Sequence, residues 1–212
     1  MIIAVDGPTA SGKGTIAKRL AAHFGVPHLD TGLLYRAVGR QVSLDGGDPD
    51  SEADALAACA FPDVLLEDPV LRSEEVGGLA SRVSIHPAVR TALFKRQRDF
   101  ARAPGGAVLD GRDIGTVIAP DADVKLFITA SVQERARRRW LEMTRTHIGR
   151  EDEIPLAEIE RDIVKRDARD INRADAPLKA APDAFVIDTT SFNPDEAFDT
   201  VLDVVERALA RR

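Results

Sequence analysis

Residues 7–15 read GPTASGKGT and follow directly on the apolar run IIAVD at 2–6. Three glycines and a lysine in nine residues give far more backbone freedom than a plain turn needs, and each glycine costs conformational entropy on folding. Beyond the loop, Ile16, Leu20 and Phe24 recur every four residues with Ala17 and Ala21 beside them, which predicts a helix over 12–24. In a parallel sheet, a loop between strand and helix lies where ligands bind, beyond the carboxyl end of the strand. There the free N–H groups and the positive end of the helix dipole make an anion site. Gly7 and Gly12 let the chain curl with its amides inward. Lys13 supplies a mobile charge for terminal phosphates, and a hydroxyl after it reaches Mg²⁺. The spacing G-x4-G-K is that of a phosphate-binding loop, with Gly14 inserted before the hydroxyl of Thr15.

Working outward, VPHLD at 26–30 predicts a second short strand, and Thr31 is expected to cap a helix running to about Leu44. DGGDPD is a turn cluster, and Ser51 begins a short helix through Ala60. FPDVLLEDPVLRS, with two short apolar runs split by acidic residues and proline, reads as a small hairpin or strap inserted in the main architecture. Helices are expected over 73–84 and 87–102, the second opening on Pro87. Strands AVLD at 107–110 and VKLFIT at 124–129 follow, the first leading into the loop GRDIG. Helices over 131–147 and 155–173, a strand at 184–188 and a helix over 194–209 complete the chain. Alternating strands and helices predict an α/β fold, a parallel sheet with helices on both faces.

Composition narrows the function. The 212 residues suit one domain. One cysteine, Cys59, rules out an internal disulfide, which fits a reducing cytoplasm. His23, His28, His86 and His147 show no ligand-like spacing, so no zinc site is expected. No apolar run has the length of a membrane span, and MIIAVDG lacks the basic and apolar regions of a signal peptide. The net charge of −6 disfavours binding to polymeric nucleic acid, yet leaves room for small anions held by local arginines.

Such arginines exist. Arg36 lies on the helix after the second expected strand, and Arg112 and Asp113 follow the strand at 107–110. Arg166, Asp170 and Arg173 fall at i, i+4 and i+7 on one expected helical face. Alone, this last group would suit a solvated, salt-bridged face. Beside a phosphate-binding loop, the arginines suit a phosphoryl group in transit, because such transfer depends on positioning and charge neutralisation.

With these motifs in view, the chain resembles bacterial cytidylate kinases, in the nucleoside monophosphate kinase group of P-loop proteins. The resemblance runs through VDGPTASGKGT, LDTGLLYR, ALFKRQR, DGRDIGTVIAPDADVK and RDARDINRADAPL, and so through nearly the whole chain. It implies a P-loop NTPase-type sheet forming a single kinase domain over 1–212, with an acceptor-binding insertion at about 61–85 and a short lid at about 145–156. It implies that Gly7, Pro8, Thr9, Ala10, Ser11, Gly12, Lys13, Gly14 and Thr15 hold ATP, with Thr15 on Mg²⁺ directly or through water. Asp30, Thr31, Tyr35 and Arg36 would border CMP, with Arg36, Arg112 and Arg173 on its phosphate. Ser81, Arg90 and Asp113 would read cytosine, and Arg166 and Asp170 would reach the ribose. Lys13, Arg36, Arg112 and Arg173 would carry catalysis, and the arginines at 135–139 would belong to the lid over ATP. Arg169, without such a role, is expected to be dispensable, and Lys13 is expected to be an exposed loop residue. The implied reaction passes the ATP γ-phosphate to CMP or dCMP in a cytoplasmic monomer that binds neither membrane nor polymeric nucleic acid. The rivals are a kinase for UMP, AMP or shikimate, and a nucleotide-dependent switch. The switch is disfavoured because the chain has no N-K-x-D or T-K-x-D segment.

Overall fold

The computed structural model describes residues 1–146 and 155–211. Its centre is strand β1 (Ile2–Asp6), whose side chains alternate between two buried faces. Ile3 and Val5 point into one apolar cluster and Ala4 into another, so the run is apolar throughout, as a strand covered on both faces must be. The other strands are β2 (His28–Asp30), β3 (Ala107–Gly111), β4 (Val124–Thr129) and β5 (Phe185–Asp188). Among the described residues they form one sheet in the order β2-β3-β1-β4-β5, with every pairing parallel.

Helices α1 (Lys13–Phe24) and α2 (Thr31–Leu44) follow β1 and β2, and a short α3 (Glu52–Ala57) comes next. Then come α4 (Glu74–Val83), α5 (Pro87–Ala101), α6 (Val132–Thr146), α7 (Leu156–Asn172) and α8 (Pro194–Leu209). Ile16 and Leu20 of α1 and Phe198, Val201 and Val205 of α8 cover one face of the sheet. Ala101 of α5 packs on the other with Ile114 and Ile118. Each such fully buried large aliphatic side chain is worth roughly 2 kcal/mol. The starts are locally encoded. Ser51 and Ser73 accept the N–H of Asp54 and Val76, Asn193 and Glu196 form a capping box, and Pro87 and Pro194 sit in first turns.

The fold class is the expected one, with three local corrections. FPDVLLEDPVLRS is no hairpin: it forms two 3₁₀ turns, Asp63–Glu67 and Pro69–Arg72, a strap pinned by Leu65 and Leu71 in a cluster with α2 and α4. Thr31 is the first helical residue rather than the cap, and its hydroxyl donates to the Asp110 carbonyl at 2.8 Å. The segment after GRD is a π-turn, Ile114–Ile118, rather than an open loop. Of the stretch expected to close over ATP, residues 147–154 lie outside the described residues.

The register sets up the site. Asp6 lies opposite Gly111, and Asp30 opposite Asp110. The carboxyl ends of three strands therefore meet at one edge, where the chain runs from β1 to β2 on one side and from β3 back across to β4 on the other. Crevices form at such reversals of strand order.

Candidate active site

The glycine-rich loop leaves β1 at Gly7, whose φ of 154° suits only glycine; a Cβ there would lie 2.1 Å from the carbonyl of Ile128. Gly12 precedes α1 in the left-handed region, and α1 has no side-chain cap and no acidic residue in its first turn. Its first N–H groups and dipole are thus left for an anion. Lys13 is buried, contrary to expectation, with Nζ donating to the Pro8 carbonyl at 3.2 Å. Burial, reinforced by the charge of Arg112, lowers its pKa to about 8. Thr15 is exposed and lines the same cleft as Gly12, Lys13 and Asp30.

Two arginines of α6 brace this loop from behind. Arg135 donates to the carbonyls of Thr9 and Ala130 and pairs with Asp167 at 2.7 Å. Arg138 donates to the carbonyls of Ser11 and Thr189. These two were expected in a lid; here they buttress the loop. At the end of β1, Asp6 accepts the N–H groups of Ile114 and Gly115, both at 2.8 Å. Burial outweighs those bonds and raises its pKa to about 7.

Most of the residues expected to border the acceptor converge. Thr31, Tyr35, Arg36, Ser81, Arg112, Asp113, Arg166, Asp170 and Arg173 line one cavity, with Thr9 at its boundary. A second cavity holds Lys13, Gly14, Asp30 and Asp110. Thr9, Arg36, Arg112 and Arg166 line both. Arg112 is held by Asp170 and by the Thr9 hydroxyl, each at 2.7 Å. Arg173 is not on the helical face: it caps α7 in an extended conformation, donating to the Ala176 carbonyl and to Asp113. Arg90 stands behind the cavity wall, bonded to Asp113 and Asp175 and 5.8 Å from the Tyr35 ring. Arg36 and Arg166 turn to the insertion, where Arg36 donates to the carbonyls of Leu71 and Ser73 and Arg166 pairs with Glu74. Burial and the neighbouring charges of Arg166 and Arg139 lower the Arg36 pKa to about 10. Arg169, expected to be dispensable, donates to the Ser81 hydroxyl at 3.1 Å.

Sequence reasoning passed over two residues. Asp110 stands at the carboxyl end of β3, near Gly14 and bonded to His28 at 2.7 Å. Its signal was an acidic residue ending a buried strand beside the phosphate loop. Glu74, which pairs with Arg139 and Arg166 beside the cleft, had no sequence signal to mark it, and Arg139, expected in a lid, lines the cavity that holds Lys13. Burial and the facing Asp110 raise the pKa of Asp30, with Lys13 and Arg36 opposing. Asp30 and Asp110 are paired across β2 and β3, and Thr15 lines a cleft with Asp30; such oxygens fit Mg²⁺, a hard cation taking oxygen ligands from one or two carboxylates and from phosphates.

A profile described as cytidylate kinase matches residues 3–207. The cytidylate kinase of Methylocella silvestris is 54% identical over 209 residues, covering 98% of this chain and 95% of its own. That of Rhodopseudomonas palustris (strain TIE-1) is 52% identical over 213 residues, covering 100% and 99%. In fold alone, the chain is similar to an uncharacterized protein from Eubacterium ventriosum, whose crystal structure aligns with a TM-score of 0.54 at 15% identity over 97% of this chain and 98% of that one. The chain belongs to the cytidylate kinase family, kinases that pass the phosphate of ATP to CMP or dCMP.

Proposed function

We propose that the two adjoining cavities are the donor and acceptor sites of this reaction, within a single kinase domain spanning the chain. The observation that supports this is the wall they share: Arg36, Arg112 and Arg166 border both, with Lys13 on one side and Asp113 on the other. A phosphoryl group crossing between them would stay within reach of fixed cations throughout.

In this reading the loop from Gly7 to Thr15 wraps the ATP phosphates, and Lys13 moves with the transferred group. Arg36, Arg112 and Arg173 neutralise the acceptor phosphate and the charge that builds between the two nucleotides. Arg112 is pre-set for this by Asp170 and Thr9, so little reorganisation is left for the reaction itself. No general base is needed, because the acceptor phosphate is already anionic near neutral pH. Asp113, Arg90 and Ser81 select the base, Tyr35 and Thr31 shape its surroundings, and Arg166 and Asp170 reach the ribose. Thr15, Asp110 and Asp30 would hold Mg²⁺, which would supply charge neutralisation at the ATP phosphates. Exclusion of water matters, since an open donor site would hydrolyse ATP. The chain works as a cytoplasmic monomer.

A coupled assay of ADP release with CMP, dCMP, UMP, AMP and shikimate tests the assignment. CMP and dCMP are expected to support turnover far above the rest. Comparable rates with AMP or shikimate would overturn the acceptor assignment.

A further inference from the structure

Three of the cations that line the Lys13 cavity are already occupied by the protein. At the junction of strap and α4, the carbonyls of Leu71 and Ser73 take Arg36. The carboxylate of Glu74 pairs with both Arg139 and Arg166, and its own carbonyl accepts a further bond from Arg166 at 3.0 Å. Arg36, Arg139 and Arg166 all line the cavity that holds Lys13. Helix polarity alone does not explain this arrangement. An acidic residue in the first turn of α4 favours the dipole, but Glu75 sits in that turn as well, and Glu74 bends back to the guanidinium pair. Its side chain is 32% exposed, so solvent is open to it when it lets go.

We propose that Glu74 is a positioning residue that stands in for a phosphate: its carboxylate holds Arg139 and Arg166 together and competes with the nucleotide phosphates for them. Three guanidiniums gathered without a counter-charge would repel one another, an effect that, after burial, lowers the Arg36 pKa. A resident carboxylate keeps them gathered, gives way to the incoming nucleotide and returns as product leaves. It thereby weakens phosphate binding and speeds release. Because the acidic partner belongs to the insertion and the arginines to α6 and α7, the exchange also couples phosphate binding to the contact between insertion and core.

This rests on the donor–acceptor reading above, and the test separates the two. CMP binding to the full chain is measured by titration calorimetry for wild type, Glu74→Gln, Glu74→Asp and Glu75→Gln, with steady-state kinetics alongside. Glu74→Gln is expected to bind CMP roughly tenfold more tightly, the scale of one unit charge removed from a partly buried anion site. The KM for CMP should fall with it, while kcat stays level or drops as release slows. Glu74→Asp, too short to span both guanidiniums, shifts the same way by less and serves if the glutamine variant folds poorly. Glu75→Gln, the same charge change in the same helical turn, should match wild type. CMP binding by Glu74→Gln that is unchanged or weaker, or equal tightening by Glu75→Gln, overturns the proposal. A wild type that binds no CMP overturns the reading beneath it.

Discussion

Arg90 and Asp113 form a buried ion pair beside the acceptor cavity, with Arg90 Nη2 donating to Asp113 Oδ2 at 2.5 Å and both side chains under a tenth exposed. Arg173 approaches the other carboxylate oxygen at 3.4 Å. The carboxylate is thus fixed as an acceptor, while Arg90 Nη1 is buried with no hydrogen-bond partner among the described residues. Cytosine would suit this pair: its amino group would donate to Asp113, and N3 or O2 would accept from a guanidinium. Uracil would set a carbonyl against the carboxylate, and a site whose buried polar groups go unpaired rejects the wrong ligand strongly. CMP is therefore expected to exceed UMP in kcat/KM by a wide margin at pH 7. Asp113→Asn should narrow that gap and lower CMP turnover, with a stability loss of roughly 2–4 kcal/mol as Arg90 and Arg173 lose their counter-charge. An unchanged CMP-to-UMP ratio in a folded Asp113→Asn protein would remove Asp113 from base selection.

Lys13 gives a prediction in pH. Its burial lowers the pKa from 10.5 to about 8, and the charged form is the one that binds phosphate. In the free enzyme that form is lost as pH rises through about 8, so kcat/KM for ATP is expected to fall above that point, approaching tenfold per unit. Bound phosphates favour the ammonium, so the corresponding limb in kcat should lie at higher pH. Lys13→Arg should abolish the limb at reduced activity, and Lys13→Ala should cost about 10²–10³ in kcat. A limb at the same pH in Lys13→Arg would assign it to another group.

The fold was legible where local chemistry decides it. β1 and β3 are buried on both faces and appear as the apolar runs at 2–5 and 107–109, and β4 as one broken only by Lys125; Ser51, Ser73 and Asn193 mark their helices by bonds made within three residues. The strap was legible only as one of two alternatives, hairpin or strap, because runs such as VLL and VL look alike in a strand and in a 3₁₀ turn; burial of Leu65 and Leu71 against α2 and α4 decides for the strap. Lys13 illustrates the same limit: its exposure depends on how tightly the loop closes around it. Glu74 was invisible, since its partners Arg139 and Arg166 lie 65 and 92 residues away and nothing in EEV distinguishes it from Glu75.

The arginines of α7 and α2 should separate by role. Arg36 and Arg173 enter the acceptor cavity with buried or half-buried guanidiniums, and their replacement by alanine should lower kcat by about 10² or more. Arg169 is exposed and touches the site only through the Ser81 hydroxyl. An exposed hydrogen bond is worth about 0.5–1 kcal/mol, so Arg169→Ala should raise the KM for CMP a few-fold and leave kcat nearly unchanged. Equal effects at all three positions would mean that the arginines form a structural salt-bridged face.

Arg138 offers a test of the donor site that leaves the acceptor aside. Its guanidinium joins three segments: α6, where Glu134 holds Nε at 3.0 Å; the phosphate loop, through the Ser11 carbonyl at 3.3 Å; and the turn after β5, through Thr189. Thr189 is fully buried, and Arg138→Ala removes the charged donor from its carbonyl and from that of Ser11, leaving them the Phe192 N–H and the Thr189 hydroxyl. The loop that must present its amides to ATP then loses its rear support. The KM for ATP should rise about tenfold, the scale of one charge-assisted hydrogen bond, while the KM for CMP changes little because the Arg138 contacts lie outside the acceptor cavity. Arg137→Ala is the control, since Arg137 is 59% exposed and pairs with Glu134; it should behave as wild type in both. If Arg138→Ala shifts the two KM values equally, or Arg137→Ala matches its effect on ATP, the loss reflects the helix as a whole and not the support of the phosphate loop.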